Sequence, residues 1–287
     1  MKIEFLGTGG AMTIPRPLCR CAVCEEAREL GVPYSRSGPS LFIHGLNLLF
    51  DTPEDIYFQI NRSSIPSIDG VFYSHWHPDH VMGRRILESL NADWRNHPPN
   101  HTKTKVYLPK QVAVDFQRFL GSGDHFAFFE QQGFVDLREL KDGDSVWVKD
   151  TIITPFRLAE DYVYAFLLEN SGEKVVIAMD ETNNWKPGPE VKGADLAILP
   201  AGIFVTHPLT GERLIAADHP LLKEECTFTE TIEIIKALGA KKTMLTHIEE
   251  ISGLSHDDLK EVEKVLAAEK LNVEFAYDTL IVHTDHQ

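Results

Sequence analysis

The sequence predicts an α+β chain of stacked β-sheets with helices packed outside them. Three observations carry this. Short apolar runs of strand length recur along the whole chain, helical periodicity is concentrated in the last third, and no repeat of solenoid period is present. The strand-like runs are Lys2–Leu6, Leu41–Ile43, Leu48–Phe50, Val71–Tyr73 and Lys105–Leu108. They continue at Ser145–Val148, Ile152–Phe156, Tyr164–Glu169, Lys174–Met179, Leu196–Leu199, Lys242–Thr246 and Thr279–Val282. A helix is expected from about Phe228 to Leu238, with Thr227 as N-cap, Glu230 as the acid of a capping box, and Ile232, Ile235 and Leu238 as its buried stripe. Another begins after Ser255, with Leu259, Val262 and Leu266 on one face and Asp257 and Asp258 at its positive end. The polar segments 91–104, 185–193 and 206–225 read as loops. No Gly/Ser or Pro linker divides the chain, so residues 1–287 are expected to form one domain.

The composition is that of a soluble globular protein, 43% apolar and 25% charged. A formal net charge of −15 opposes non-specific binding to polyanions such as tRNA or DNA, and no nucleic-acid partner is expected. A small phosphate ester stays open, because a metal supplies local positive charge. The start Met1–Leu6 runs directly into Gly7-Thr8-Gly9-Gly10, without an apolar region suited to export, and no apolar stretch is long enough to span a bilayer. The expectation is a cytoplasmic protein without a membrane partner. Three of the four cysteines, Cys19, Cys21 and Cys24, are crowded together, which in a reducing compartment suits a metal better than disulfides; the fourth is Cys226.

The chemistry is concentrated in Tyr73-Ser74-His75-Trp76-His77-Pro78-Asp79-His80. Three histidines and an aspartate follow a buried strand, and Pro78 stops the strand from continuing, so the ligand-type side chains sit on a turn where they can converge. Imidazole and carboxylate together suit zinc, iron or manganese. Two later segments have the same form: Val175–Met179 ends in Asp180, and Lys242–Thr246 ends in His247. A polar group at the end of a buried strand points to a site, because the core rejects it.

These residues, with Phe5-Leu6-Gly7-Thr8-Gly9-Gly10, Asp51-Thr52, Asp180-Glu181-Thr182 and Thr246-His247, resemble the metallo-β-lactamase-fold hydrolases in order and over most of the chain. The resemblance implies a four-layer αββα sandwich with a metal site at one edge. It assigns His75 and His77 to a first metal and Asp79, His80 and His247 to a second, with Asp180 bridging both. Cys19-Arg20-Cys21-Ala22-Val23-Cys24 narrows the likeness to the phosphoribosyl cyclic phosphodiesterase (PhnP-like) branch, and a similar cluster occurs in the pyrroloquinoline quinone cofactor-synthesis protein. In such relatives the thiolates hold a structural zinc. Three thiolates and one more ligand close a tetrahedral site and pin a glycine-rich loop. Glu250, Cys226 and His256 are the candidates for the fourth ligand, and Glu250 stands where the relatives have a histidine.

The sequence departs from the family pattern at two places. The histidine that completes the first metal site falls on Ala159, so Glu160 or Asp161 is the expected replacement ligand, which would harden the site towards manganese or iron. An active-site histidine of the phosphodiesterase falls on Glu225, with His219 close by. The expectation is hydrolysis of a small, perhaps cyclic, phosphodiester by metal-activated water, with Asp79 orienting the water and His219 or Glu225 protonating the leaving oxygen. One or two active-site zinc ions and one structural zinc are implied. The alternatives are another hydrolase (lactone, thioester or RNA) or a non-hydrolytic role in cofactor synthesis. Gly121-Ser122-Gly123-Asp124-His125, followed by Phe126, Phe128 and Phe129, is either a lid or a hydrophobic segment packed on the body or on a second copy of the chain, which leaves a homodimer open. His97 and His101 read as surface residues. Gly7–Gly10 lacks the Lys-Ser/Thr of a phosphate loop and reads as a tight turn against the metal edge.

Overall fold

The computed structural model describes residues 1–284 as two seven-stranded mixed sheets stacked face to face, with helices on both outer surfaces. This is the αββα sandwich. In chain order the strands are β1 Lys2–Gly7, β2 Ser40–His44, β3 Leu48–Phe50, β4 Gly70–Phe72, β5 Thr104–Pro109, β6 Val135–Leu140 and β7 Val146–Val148. They continue as β8 Thr151–Arg157, β9 Tyr164–Asn170, β10 Glu173–Ile177, β11 Leu196–Pro200, β12 Lys242–Thr246, β13 Val273–Phe275 and β14 Ile281–His283. The sheet orders are β14-β1-β2-β3-β4-β5-β6 and β13-β12-β11-β10-β9-β8-β7.

Each sheet is antiparallel in one part and parallel in the other. β3 to β6 run parallel, as do β10 to β13. Parallel neighbours need crossovers, and helices supply them on the outer faces, for example Phe228–Leu238 between β11 and β12. The central layer joins inward residues of both sheets, including Ile3, Phe50 and Phe72 from one and Phe166, Val175 and Ile198 from the other. Phe166 meets Phe50 and Phe72 edge-on, with centroids 5.1 and 5.5 Å apart. Two further apolar layers fasten the outer helices to the sheets.

Phe228–Leu238 and His256–Ala268 form with complete capping boxes, Thr227 with Glu230 and Ser255 with Asp258. Helix in the first two thirds exceeds the expectation. Ala22–Leu30, Ile56–Arg62, Ile86–Asn91, Lys110–Phe116 and Ser122–Gln131 are all helical. None of the five has a side-chain N-cap, so the strongest local start signal is missing. β6 and β13 are strands that the sequence did not suggest. Both are sheet edges, and their charged residues (Asp136, Arg138, Glu139; Glu274) mask the strand pattern. The lid reading of the Phe-rich segment is corrected. It is a helix whose Phe126 and Phe129 are buried against the body, leaving Phe128 outward. Among the described residues no helix is long and apolar enough to cross a membrane.

Candidate metal centre

The carboxyl ends of parallel strands from both sheets meet at one edge, the usual place for a site in parallel sheets. β4 delivers the ligand turn, in which the His75 and His77 rings meet edge-on with centroids 4.5 Å apart. Pro78 takes the first position of the short helix Pro78–Val81, where its missing N–H is harmless, and that turn carries Asp79 and His80. Asp51 follows β3, Asp180 and Glu181 follow β10, and His247 follows β12. Asp51, Glu181 and His247 have φ of 60°, 54° and 50°. Left-handed backbone at a non-glycine residue costs about 1–2 kcal/mol, and strain of this kind concentrates at functional sites.

Two adjoining groups of donors result. His75, His77, Asp180 and Glu181 form one, and Asp79, His80 and His247 form the other. Asp180 Oδ2 stands between them, 3.8 Å from His75 Nε2, 3.7 Å from His80 Nε2 and 3.4 Å from His247 Nε2. Asp79 Oδ2 is 3.3 Å from His80 Nε2 and 3.4 Å from His247 Nε2. His75 Nε2, His80 Nε2, His247 Nε2 and Asp79 Oδ2 are buried without a hydrogen-bond partner. Unpartnered buried polar atoms are costly, and four of them converging on carboxylates fit a divalent metal centre.

The other ring nitrogens are held from behind. His80 Nδ1 is 2.8 Å from Asp51 Oδ2, and Ser74 Oγ bridges Asp51 Oδ2 (2.7 Å) and His75 Nδ1 (2.9 Å). Asp51 Oδ1 accepts the Ser74 N–H at 2.8 Å. Because the carboxylate only accepts, His80 donates from Nδ1; Ser74 donates to Asp51 and accepts from His75. In the neutral form that a metal requires, both imidazoles therefore present bare Nε2 atoms to the centre.

Charges in the centre are mutually dependent. Burial opposes a charged His247, but the nearby Asp180 and Asp79 carboxylates outweigh it and raise its pKa to about 9. Burial likewise disfavours charge on His80, yet the Asp79 and Asp51 carboxylates hold its pKa well above the usual value. His75 goes the other way, lowered chiefly by burial. Glu181 is pushed up to about 8 by burial and by the Asp180 charge, and Glu225 to about 7 for the same two reasons. The protein by itself thus packs more negative charge into the centre than its imidazoles balance.

The predicted replacement ligands do not reach the centre. Leu158 N–H bonds to Val163 O and Val163 N–H to Glu160 O, closing a tight turn that leaves Ala159 and Asp161 exposed and keeps Glu160 out of both donor groups. Glu181 stands in the first group instead. His219 is exposed, its Nδ1 accepting the Leu221 N–H, and does not line the centre, whereas Glu225 does, beside Asp180, His247 and Glu249. Glu249 was not foreseen. It accepts the Ala11 and Met12 N–H groups and lies 3.6 Å from His247 Nδ1. A Cβ on Gly10 would come within 2.1 Å of the Glu249 carboxylate, so the glycine loop serves close approach.

The cysteine cluster closes with Glu250, whose Oε1 is 3.4, 3.5 and 3.6 Å from the Sγ atoms of Cys19, Cys21 and Cys24. Burial and the neighbouring thiols push Cys24 up to about 12, although the Arg16 N–H opposes this. Three thiols and a carboxylate, with Arg16 3.5 Å from Glu250, suit a closed structural cation site. Cys226 is buried against Thr231, and His256 packs on Tyr34 and Tyr277; neither joins the cluster.

Residues 46–248 match the family described as beta-lactamase superfamily domain. The chain belongs to that superfamily. Ribonuclease Z of Archaeoglobus fulgidus is 28% identical over 167 residues, covering 54% of this chain and 43% of that protein. The chain thus matches less than half the length of this curated relative. Among solved structures, a diphosphatase of the PhnP family superposes with a TM-score of 0.71 at 22% identity, over 98% of this chain and 97% of the other. Zinc-bound PqqB of Methylobacterium extorquens gives 0.69 at 14% identity, over 99% and 100%. At these identities the superpositions establish the shared fold. Within the superfamily the fold implies a bound divalent metal, and the two donor groups lie where the strand ends converge.

Proposed function

We propose that this chain is a metal-dependent hydrolase of a small phosphodiester, cyclic phosphates included. The observation that carries the reading is Asp180 Oδ2 facing three buried, unpartnered imidazole nitrogens from two donor groups, the arrangement of a bridging carboxylate. His75, His77 and Asp180 would hold a first divalent ion, and Asp79, His80, Asp180 and His247 a second, with Cys19, Cys21, Cys24 and Glu250 holding a structural zinc. Active-site ions, zinc or a harder metal, supply an acidified water and positive charge for the ester oxygens.

The chain's own residues do the rest. Asp79 is buried beside His80 and His247, which hold its pKa well below the usual range against the effect of burial, so it stays ionised and orients a water by accepting its hydrogen bond. Glu225 lines the centre, where burial raises its pKa, and is the donor for the leaving oxygen. A cavity of about 650 Å³, lined in part by Trp185 and Lys186, shares Thr182 and Cys226 with the lining of the centre and has the size of a small-molecule pocket. The acidic balance of the chain supports a small substrate over RNA.

The test is a panel of aryl phosphodiesters and cyclic phosphates offered to the metal-replete protein. Turnover that drops at least 100-fold in Glu225→Gln, most steeply for poor leaving groups, is expected. A panel left untouched would overturn the reading. A non-hydrolytic role in cofactor synthesis draws support from one observation, the carboxylate-rich donor set, which suits iron. Iron bound in protein purified without added metal, together with an untouched panel, would favour it.

A further inference from the structure

The family pattern leaves this chain one imidazole short, because Ala159 occupies the position and is exposed. We propose that Glu181 is the missing ligand of the first ion and that Tyr162, from the same loop as Ala159, positions it. Three observations converge on this. Glu181 offers a carboxylate oxygen within 4.8 Å of the donor atoms of His75, His77 and Asp180. Its Oε1 is 3.5 Å from His77 Nδ1, too far for a good hydrogen bond and suited to two ligands on one ion. His75 Nε2, in the same group, is buried without a hydrogen-bond partner and lies 3.8 Å from Asp180 Oδ2.

The backbone explains how a residue next to Asp180 joins the same group. Successive residues of an extended chain point to opposite sides. The left-handed φ of 54° at Glu181 turns the chain back, so both carboxylates reach one point. The loop 158–163 then contributes a hydroxyl in place of an imidazole. Tyr162 lies beside Glu181, with its ring 5.5 Å from the His77 ring and 6.2 Å from the His75 ring, over the first donor group. A phenol next to a metal carboxylate is the kind of outer partner that fixes a ligand's orientation.

The consequence is a first site of two imidazoles and two carboxylates. That set is harder than three imidazoles and one carboxylate, and it shifts preference from Zn²⁺ towards Mn²⁺ or Fe²⁺. The proposal rests on the preceding reading only in taking the centre to bind ions. Its test uses no substrate, so failure to hydrolyse anything leaves it standing.

The experiment is titration of metal-stripped full-length protein with Zn²⁺ alone and Mn²⁺ alone, with elemental analysis of ions retained per chain. Glu181→Ala is expected to lose one active-site ion while keeping the ion at Cys19, Cys21, Cys24 and Glu250. Glu181→His is expected to regain it for Zn²⁺, with Mn²⁺ bound at least 10-fold more weakly than by the wild type. Tyr162→Phe should keep the stoichiometry and weaken the first ion by about 10–100-fold. If Glu181→Ala binds the wild-type number of ions within threefold of wild-type affinity, Glu181 is not a ligand. If Glu181→Ala loses the cysteine-site ion too, through misfolding, Glu181→His decides: recovery of the first ion supports the assignment, and no recovery overturns it.

Discussion

Replacing Asp51 by Asn leaves shape and backbone intact, since Asn accepts the left-handed φ of 60° as readily as Asp. It reverses the hydrogen-bond direction behind both donor groups. With its amide oxygen on the Ser74 N–H, the side chain places an NH₂ where Oδ2 took hydrogens from His80 Nδ1 at 2.8 Å and Ser74 Oγ at 2.7 Å. The NH₂ now donates to His80 Nδ1, which moves that ring's proton to Nε2. It also donates to Ser74 Oγ, whose own hydrogen turns to His75 Nδ1, 2.9 Å away, and moves the second ring's proton to Nε2 as well. Each imidazole then meets the ion with an N–H. Binding requires breaking that arrangement, at an expected loss of 10–100-fold per ion. This equals about 1.4–2.7 kcal/mol for each ion. The assay is competition with a chromophoric chelator, with Ser74→Ala as the partial case that should weaken chiefly the ion at His75. An Asp51→Asn protein binding both ions within threefold of the wild type would refute the tautomer argument.

Phe72→Ala empties a fully buried position stacked on Phe50 and Tyr107, with centroids 5.3 and 4.4 Å away, and should cost about 3–5 kcal/mol in urea denaturation without changing metal stoichiometry. Metal-free protein should lose stability as pH rises from about 7 to 9, above the range in which the depressed His75 and His77 titrate. Glu181, Glu225 and His247 are all raised, to about 8, 7 and 9, so the stability they contribute is full below their unfolded values and is lost as pH climbs through the folded ones. Bound metal should flatten that slope, and a melting temperature that instead rises towards pH 9 in the metal-free protein would contradict the charge assignment. Cys19→Ser should release one zinc per chain and loosen the loop before Ala22–Leu30, seen as faster amide exchange there; unchanged zinc content would show that the cluster is not a cation site.

The sequence by itself determined the positions of most core strands and most of the donors that meet at the centre. Buried strands leave long apolar runs, and His75, His77, Asp79, His80, Asp180 and His247 stand at the ends of such runs, where a polar side chain has no structural reason to be. The capped helices after Thr227 and Ser255 were readable because their start signals are local. The uncapped helices and the charged edge strands β6 and β13 were not, because packing against a sheet rather than propensity holds them. Only the tertiary structure decided that Glu181 replaces Glu160 and Asp161 in the first donor group, that Glu250 rather than Cys226 or His256 closes the cysteine cluster, and that Glu225 lines the centre while His219 does not. Those choices turn on one left-handed residue after β10, a tight turn at 158–163 and the placement of the β12 loop against the N-terminal glycines. Spacing along a chain shows which donors exist, and the backbone turn at each strand end decides which of them meet.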